Sequence, residues 1–402
     1  MSQQKKIAII GAGASGLFVS ILLASKGFDV VIFEKNNKVG KKLLATGNGR
    51  CNVTNQTISL NNFYSNSNIS LIQNNIKNFT FQDCKEFFSK LGIEFKVVPS
   101  GRAYPLSLSS ASIVDILEYE AIKNGVKIEL NSEISEIHSI KNRFELHTKE
   151  SKKQSFDKLI VATGSIAMPK LGSSDSGYQF AKKFQHNIIK PVASLVQLVS
   201  SNKNLDIVSG VKIEALIDEK RGDFLFTKYG VSGSLILDIS REVAKQLQTQ
   251  KSVKLEVDTM PDFTFDELID MLTLRVSNLK DKELSLWLDG IMNKKLAKYI
   301  ILNSNLASHV KYAKFLSKDD IVKIVKTIKK LPFIITDTKG FETCEVCAGG
   351  ISLDEIDLAN MESKKQKNLY FIGEVIDVDG DCGGYNLHWA WSSAFTLATN
   401  MK

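Results

Sequence analysis

Nowhere in the 402 residues does an apolar run reach the roughly 18 that a membrane-spanning helix requires, which excludes such a span. Before the first strand stands only a short polar lead, MSQQKK, too brief for a signal peptide. Cysteine is scarce: five residues, an odd number without disulfide-framework spacing, which points to a reducing cytoplasm. Internal repeats and low-complexity tracts are missing. The nearest approach is the Asn-rich stretch from Asn61 to Asn78, expected as surface loop. No Ser-His-Asp set or metal-ligand spacing stands out, so no metal and no catalytic acid or base is assigned. Cys344 and Cys347 form one C-x-x-C, but no second pair completes a zinc site. The pair lacks the usual strand-to-helix context of a redox motif, and structural thiols are the expectation. The net charge of +8 is modest. Basic residues outnumber acidic ones between Arg241 and Lys330, a weak footprint for anions or nucleic acid. A solvated helical face is the plainer account, and nucleic acid is not the expected partner.

What is present is organised around the segment from Ile7 to Glu34. Ile7 to Ile10 reads as a strand buried on both faces. Gly11, Gly13 and Gly16 follow as G-x-G-x-x-G, an apolar run from Leu17 reads as a helix, and Gly27 ends it. Gly11 permits the tight turn, Gly13 lets backbone approach a pyrophosphate, and Gly16 lets helix and strand pack closely. The phosphates would sit on the positive end of the helix. A second strand, Asp29 to Phe33, runs into Glu34, at about the 20-residue spacing expected of the acid that holds a ribose hydroxyl. A glycine triplet alone is weak evidence. Strand, helix and acid in this order point to dinucleotide binding.

At this length the chain exceeds one core, and two or three domains are expected. Lys38 to Asn55 is dense in Gly, Asn and Thr; its turn at Gly47-Asn48-Gly49, with Lys42 and Arg50, suits phosphates or the flavin end of a cofactor. Phe81 to Leu91 reads as a helix, Ile93 to Val98 as a strand, GRAYP from Gly101 to Pro105 as a turn, and Ser109 as the cap of a helix reaching Lys123. Short strands at Val126 to Leu130, Ile134 to Ile140 and Phe144 to Thr148 read as an antiparallel meander before the apolar strand ending at Val161. That strand delivers Ala162-Thr163-Gly164 to the carboxyl end of a sheet, where open α/β sheets bind ligands. Val192 to Val199, Val211 to Asp218, Asp223 to Thr227 and Leu235 to Ile239 read as strands. From Asp262 to Lys330 the period becomes helical. From Gly340 the α/β grammar returns, with a strand into Gly373-Glu374 and a final helix from His388 to Ala398. Three segments follow: a first nucleotide-binding part at 1–190, an insert at 191–339, and a closing part at 340–402.

The strings GAGASGL, GKKLLATGNGRCNVTN, ATGS, AGGI and GEVIDVDGDCGGYNLHWAWSS together resemble the aminoacetone-oxidase/BaiN-like family of FAD-dependent oxidoreductases over essentially the full chain. The resemblance implies an α/β, Rossmann-like FAD-binding domain of two-dinucleotide type, split by an insert made of a β-barrel and a small helical bundle. It implies that Gly11, Gly13, Ala14, Ser15 and Gly16 cradle the FAD pyrophosphate and that Glu34, with Lys35 beside it, holds the adenosine ribose. Lys42, Gly47, Asn48, Arg50, Cys51 and Asn52 would line the phosphate-to-flavin region, Ile134 would offer backbone to adenine, and Ala162, Thr163 and Gly164 would pack on the cofactor. Gly373 and Glu374 would hold the ribityl or phosphate part. Gly384, Asn386 and Leu387 would open a last helix facing the flavin. Two positions depart from the family: His388, where Gln is expected, and Cys347, where Thr is expected. A packed His388 is the plainer expectation than a chemical one.

The resemblance implies hydride transfer between a small substrate and flavin, either amine oxidation with O₂ or reduction of an activated double bond. Arg102 and Tyr104 are substrate-side candidates. No second G-x-G-x-x-G is present, so NAD(P)H is expected only as a transient visitor. The alternatives are an FAD-dependent tRNA-modifying protein and a flavin-binding module without turnover. Neither substrate nor oligomeric state follows from the chain alone.

Overall fold

The computed structural model describes residues 5–307 and 309–402. The chain divides into two compact units. One comprises the described residues up to Ala193 together with Cys344–Lys402; the other is Ser194–Thr343.

The first unit is built on a seven-stranded sheet. It includes strand β1 (Lys6–Ile10), followed by helix α1 (Ala14–Ser25) and strand β2 (Asp29–Phe33). β1 pairs in parallel with β2 on one side and with Lys158–Val161 on the other. Leu369–Phe371 extends the sheet beyond Lys158–Val161, and Lys127–Glu129 beyond β2, again in parallel. Continuous apolar runs mark strands covered on both faces. Ile7, Ala8 and Ile9 are fully buried. α1 is apolar nearly all round because it lies within the core; its Phe18 meets Trp391 of the final helix, Tyr385–Asn400, with ring centroids 5.5 Å apart. The antiparallel meander consists of Ile134–Ile140, Arg143–Thr148 and Lys153–Phe156. The segment expected as its first strand, Val126 to Leu130, instead joins the parallel sheet. The third strand, KQSF, is too polar for apolar periodicity to reveal.

The second unit holds a six-stranded antiparallel sheet. Its edge strands, Lys212–Ile217 and Val253–Val257, are tied by reciprocal backbone hydrogen bonds between Leu216 and Asp258, 3.0 and 2.9 Å, which close the sheet into a barrel. Period-two burial sends Phe224, Phe226, Phe333 and Ile335 inward. Helices Phe265–Asn278, Leu284–Asp289, Lys294–Asn303 and Lys318–Lys329 accompany it.

Three local expectations fail. Leu235 to Ile239 lies in a helix, Ser234–Gln246. The apolar spacing continues through Val243 and Ala244, a helical period that a five-residue window cannot show. GRAYP is a strand from Arg102 to Pro105, with only Gly101, at φ 78°, in the turn. The Asn-rich stretch contains short helices, and Asn75 is buried, its amide donating to Leu358 O and Thr396 Oγ1.

Candidate functional site

Four of the expected segments meet at the carboxyl ends of four neighbouring parallel strands: Gly11 after β1, Glu34 after β2, Ala162 after Val161, and Gly373 beyond Phe371. Gly11 has φ 105°, and a Cβ there would lie 2.5 Å from Ala162 O. A Cβ on Gly16 would lie 2.0 Å from Gly11 O. Both positions are therefore closed to larger residues by backbone. Gly13 differs: a Cβ there meets nothing within 4 Å, so its missing side chain leaves open space. Gly13 caps α1 without a side-chain hydrogen bond, and the first turn, containing Ala14 and Ser15, carries no acid. The leading N–H groups of a helix have no intrahelical acceptor. An anion fits this uncapped, positive end.

Glu34 is buried. Its Oε2 accepts from Ala12 N at 2.9 Å, and its Oε1 accepts from Asn36 N at 2.9 Å and Asn36 Nδ2 at 2.7 Å. These bonds orient the carboxylate and leave it further lone pairs. Lys35 is half-buried beside it in the chain. The segment before Ile134 is tied to the same strand end, Asn131 N–H to Asn36 O and Ser132 N–H to Glu34 O. Glu374 forms an ion pair with Lys42 at 2.7 Å, and its other oxygen accepts from Ser165 Oγ at 2.8 Å and Cys347 N at 3.2 Å. Ser165, which directly follows Gly164 in the ATGS string, was not singled out from the sequence.

A second group gathers around the Thr46 loop and the start of the final helix. Gly47, Asn48 and Cys51 all have φ near +55°. Cys51 is fully buried, and burial pushes its thiol up to about 12, so its position beside Arg50 does not make a thiolate. The Arg50 guanidinium lies 5.5 Å from the centre of the Tyr104 ring. Arg102 Nη2 donates to Cys382 O at 3.4 Å. Gly384 heads the final helix at φ 99°, and a Cβ there would come within 2.6 Å of Thr54 O. That helix also starts without a side-chain cap or an acid in its first turn. Beside it, Asn52 Oδ1 is buried without a hydrogen-bond partner, an orphan acceptor that suits a donor from a bound group. Asn386 lies in the first turn of this helix, and its side chain accepts from Gly380 N and donates to Gly380 O, both at 2.8 Å. Leu387 is half-buried.

His388 is fully buried. Its Nε2 donates to Phe79 O at 2.8 Å, since a carbonyl can only accept, and its Nδ1 accepts from Thr54 Oγ1 at 2.8 Å. Burial lowers its pKa to about 4. It is a neutral packing residue. Cys344 and Cys347 are buried, and the Cys344 neighbour and burial hold Cys347 protonated.

Sheet order, glycine turn and terminal acid define a Rossmann-type dinucleotide-binding fold. The sequence pattern described as "HI0933-like protein Rossmann domain" matches residues 5–400, and the chain belongs to that family. It is 33% identical over 424 residues to a ribosomal RNA dihydrouridine synthase of Haemophilus influenzae, covering 100% of both chains. It is 32% identical over 406 residues to a 3-dehydro-bile acid delta(4,6)-reductase of Clostridium scindens, covering 97% of each. The fold resembles the open conformation of a flavocytochrome c3 fumarate reductase (TM-score 0.51, 14% identity, 99% of this chain and 77% of that one). It also resembles a 3-ketosteroid-delta4-(5alpha)-dehydrogenase from Rhodococcus jostii RHA1 (TM-score 0.50, 12% identity, 99% and 98%). The protein is an FAD-dependent oxidoreductase. Among the described residues no helix is long and apolar enough to cross a membrane.

Proposed function

We propose that this protein reduces a carbon–carbon double bond conjugated to a carbonyl. The observation that carries the direction is that two full-length relatives bear names describing that chemistry. One name denotes a reductase of a 3-oxo diene, the other a maker of dihydrouridine, whose parent ring has a C=C conjugated to C=O. FAD, when bound, supplies a two-electron carrier able to deliver hydride to an electron-poor carbon. Gly13, Ala14, Ser15 and Gly16 would hold the pyrophosphate on the uncapped end of α1, and Glu34 and Lys35 the adenosine side, with Ile134 near adenine. Ala162, Thr163, Gly164, Lys42, Gly373 and Glu374 would form the middle of the cradle. Gly47, Asn48, Arg50, Cys51 and Asn52, with Gly384, Asn386 and Leu387, would surround the reactive end. The positive end of the final helix would favour negative charge there. Arg102, whose guanidinium reaches Cys382 O, and Tyr104, against Arg50, would meet a substrate carbonyl.

The substrate is a small enone or a uracil-type ring. Uridine in RNA is the second reading, favoured by the Haemophilus relative and by an Escherichia coli relative of the same name, 30% identical over 403 residues. NAD(P)H is the proposed transient donor. A chain with few cysteines and no disulfide-framework spacing fits a reducing cytoplasm. The test is anaerobic. Flavin is bleached with NADPH, then mixed separately with a steroid dienone and with unmodified ribosomal RNA. Reoxidation by either supports reduction of a conjugated bond, and the faster acceptor identifies the class. Bleaching by aminoacetone with no reoxidation by either acceptor would sink it.

A further inference from the structure

The outer face of the meander carries a feature that flavin chemistry does not use. The tripeptide E-x-H occurs twice, as Glu136-Ile137-His138 and Glu145-Leu146-His147. The register sets Glu136 opposite His147 and His138 opposite Glu145, and period-two alternation puts all four on one face. Ligand atoms of Glu136, His138 and His147 lie within 4.8 Å of one another. His138 Nε2 stands 2.8 Å from Glu136 Oε2. His147 Nε2 is 2.6 Å from Glu145 Oε1, and its Nδ1 faces Glu136 Oε2 at 3.8 Å. A carboxylate only accepts, so in the neutral ring the proton sits on Nε2 and the Nδ1 lone pair is aimed at Glu136.

We propose that Glu136, His138 and His147 bind a divalent transition-metal ion, zinc by the donor set, with Glu145 as the outer acceptor that fixes the His147 tautomer. Donor atoms on a tetrahedral ion with bonds of about 2.05 Å stand roughly 3.3 Å apart. The observed separations of 2.8 and 3.8 Å bracket that value. Two imidazoles and a carboxylate suit zinc, and three protein ligands leave a fourth position for water. The carboxylate–imidazole pairing at His147 is the arrangement that raises a ligand's basicity. Side chains on two adjacent strands would be bridged, so the ion clamps the hairpin. Lys183 and Lys153 are the nearby cations that oppose it.

The experiment is equilibrium dialysis of the full-length, flavin-loaded protein against micromolar zinc chloride, followed by elemental analysis. About one ion per chain is expected. His138→Asn and His147→Asn should each lose most of it, and Glu145→Gln should weaken binding about tenfold. All four side chains are at least partly exposed, so flavin absorbance and circular dichroism should stay unchanged in the variants. Zinc should raise the melting temperature of the parent and not of His147→Asn. No uptake by the parent, or equal uptake by parent and both histidine variants, overturns the proposal. The latter result would place the ion on other groups.

Discussion

Two helices of the barrel-containing unit and two of the nucleotide-binding unit begin in opposite ways. In the barrel-containing unit, Thr264 and Ser317 head helices with complete capping boxes: each hydroxyl accepts from an amide three residues on, and the acid there, Glu267 or Asp320, reaches back. In the nucleotide-binding unit, α1 and the final helix begin at Gly13 and Gly384 with no side-chain cap and no acid. A capped end has spent its N–H groups internally and gains about 1 kcal/mol of stability. An uncapped end keeps them for something else. Glycine alone does not make the distinction. Gly233 also starts a helix without a cap, but a Cβ there would strike Asp223 O at 2.3 Å, so that glycine serves packing. Gly384 shares this steric demand. Gly13 has open space where its side chain would be. One kind of helix start spends its N–H groups on stability, and the other is the proposed binding end.

Substitutions can break this contrast. The largest effect is expected from Gly16→Val, whose side chain would collide with Gly11 O; no folded protein should be recovered, as judged by circular dichroism of the soluble fraction. Gly13→Val is the sharper case. Its Cβ would have nothing within 4 Å, so melting temperature should move little while affinity for FAD falls at least about tenfold. Titration of apoprotein with FAD reads this out, and unchanged affinity would refute the cradle. His388→Gln should come next. The folded pKa of about 4 lies below the ordinary 6.5, so as pH falls the unfolded chain takes the proton first. Stability is full above about pH 6.5 and declines towards pH 4, by on the order of 3 kcal/mol. Glutamine can keep both hydrogen bonds without titrating, so denaturant melts of the variant should lose that acid-side slope. The smallest effect belongs to Ser317→Ala, about 1 kcal/mol in urea melts with flavin content unchanged. A loss of flavin there would erase the distinction between the two kinds of helix start.

Legibility followed the physics of each signal. The glycine turn and Glu34 could be read because a tight turn and a close backbone approach restrict residue type within a short window. The strand carrying Phe224 and Phe226 could be read, whereas Leu331–Thr338, which carries Phe333, was not singled out. Glu374 illustrates what was hidden. Its partners Lys42, Ser165 and Cys347 N come from three distant segments, and no spacing rule links them. His388 was ambiguous in sequence because helix position alone does not reveal that Thr54 and Phe79 occupy both ring nitrogens. The paired E-x-H tripeptides lie only a hairpin apart. Their meaning depended on which residue faces which, and register is set by the turn and the buried face rather than by the tripeptides.

The sequence by itself determined the dinucleotide-binding βαβ unit, because glycines and acids at fixed spacing act through local backbone geometry, while family and cofactor followed from the resemblance of its longer strings. Only the tertiary structure decided that four strand ends converge, that the second sheet closes through Leu216 and Asp258, and that Cys51 and His388 are neutral. Those outcomes depend on burial and on hydrogen bonds between residues far apart in the chain, and neither is written in any one segment.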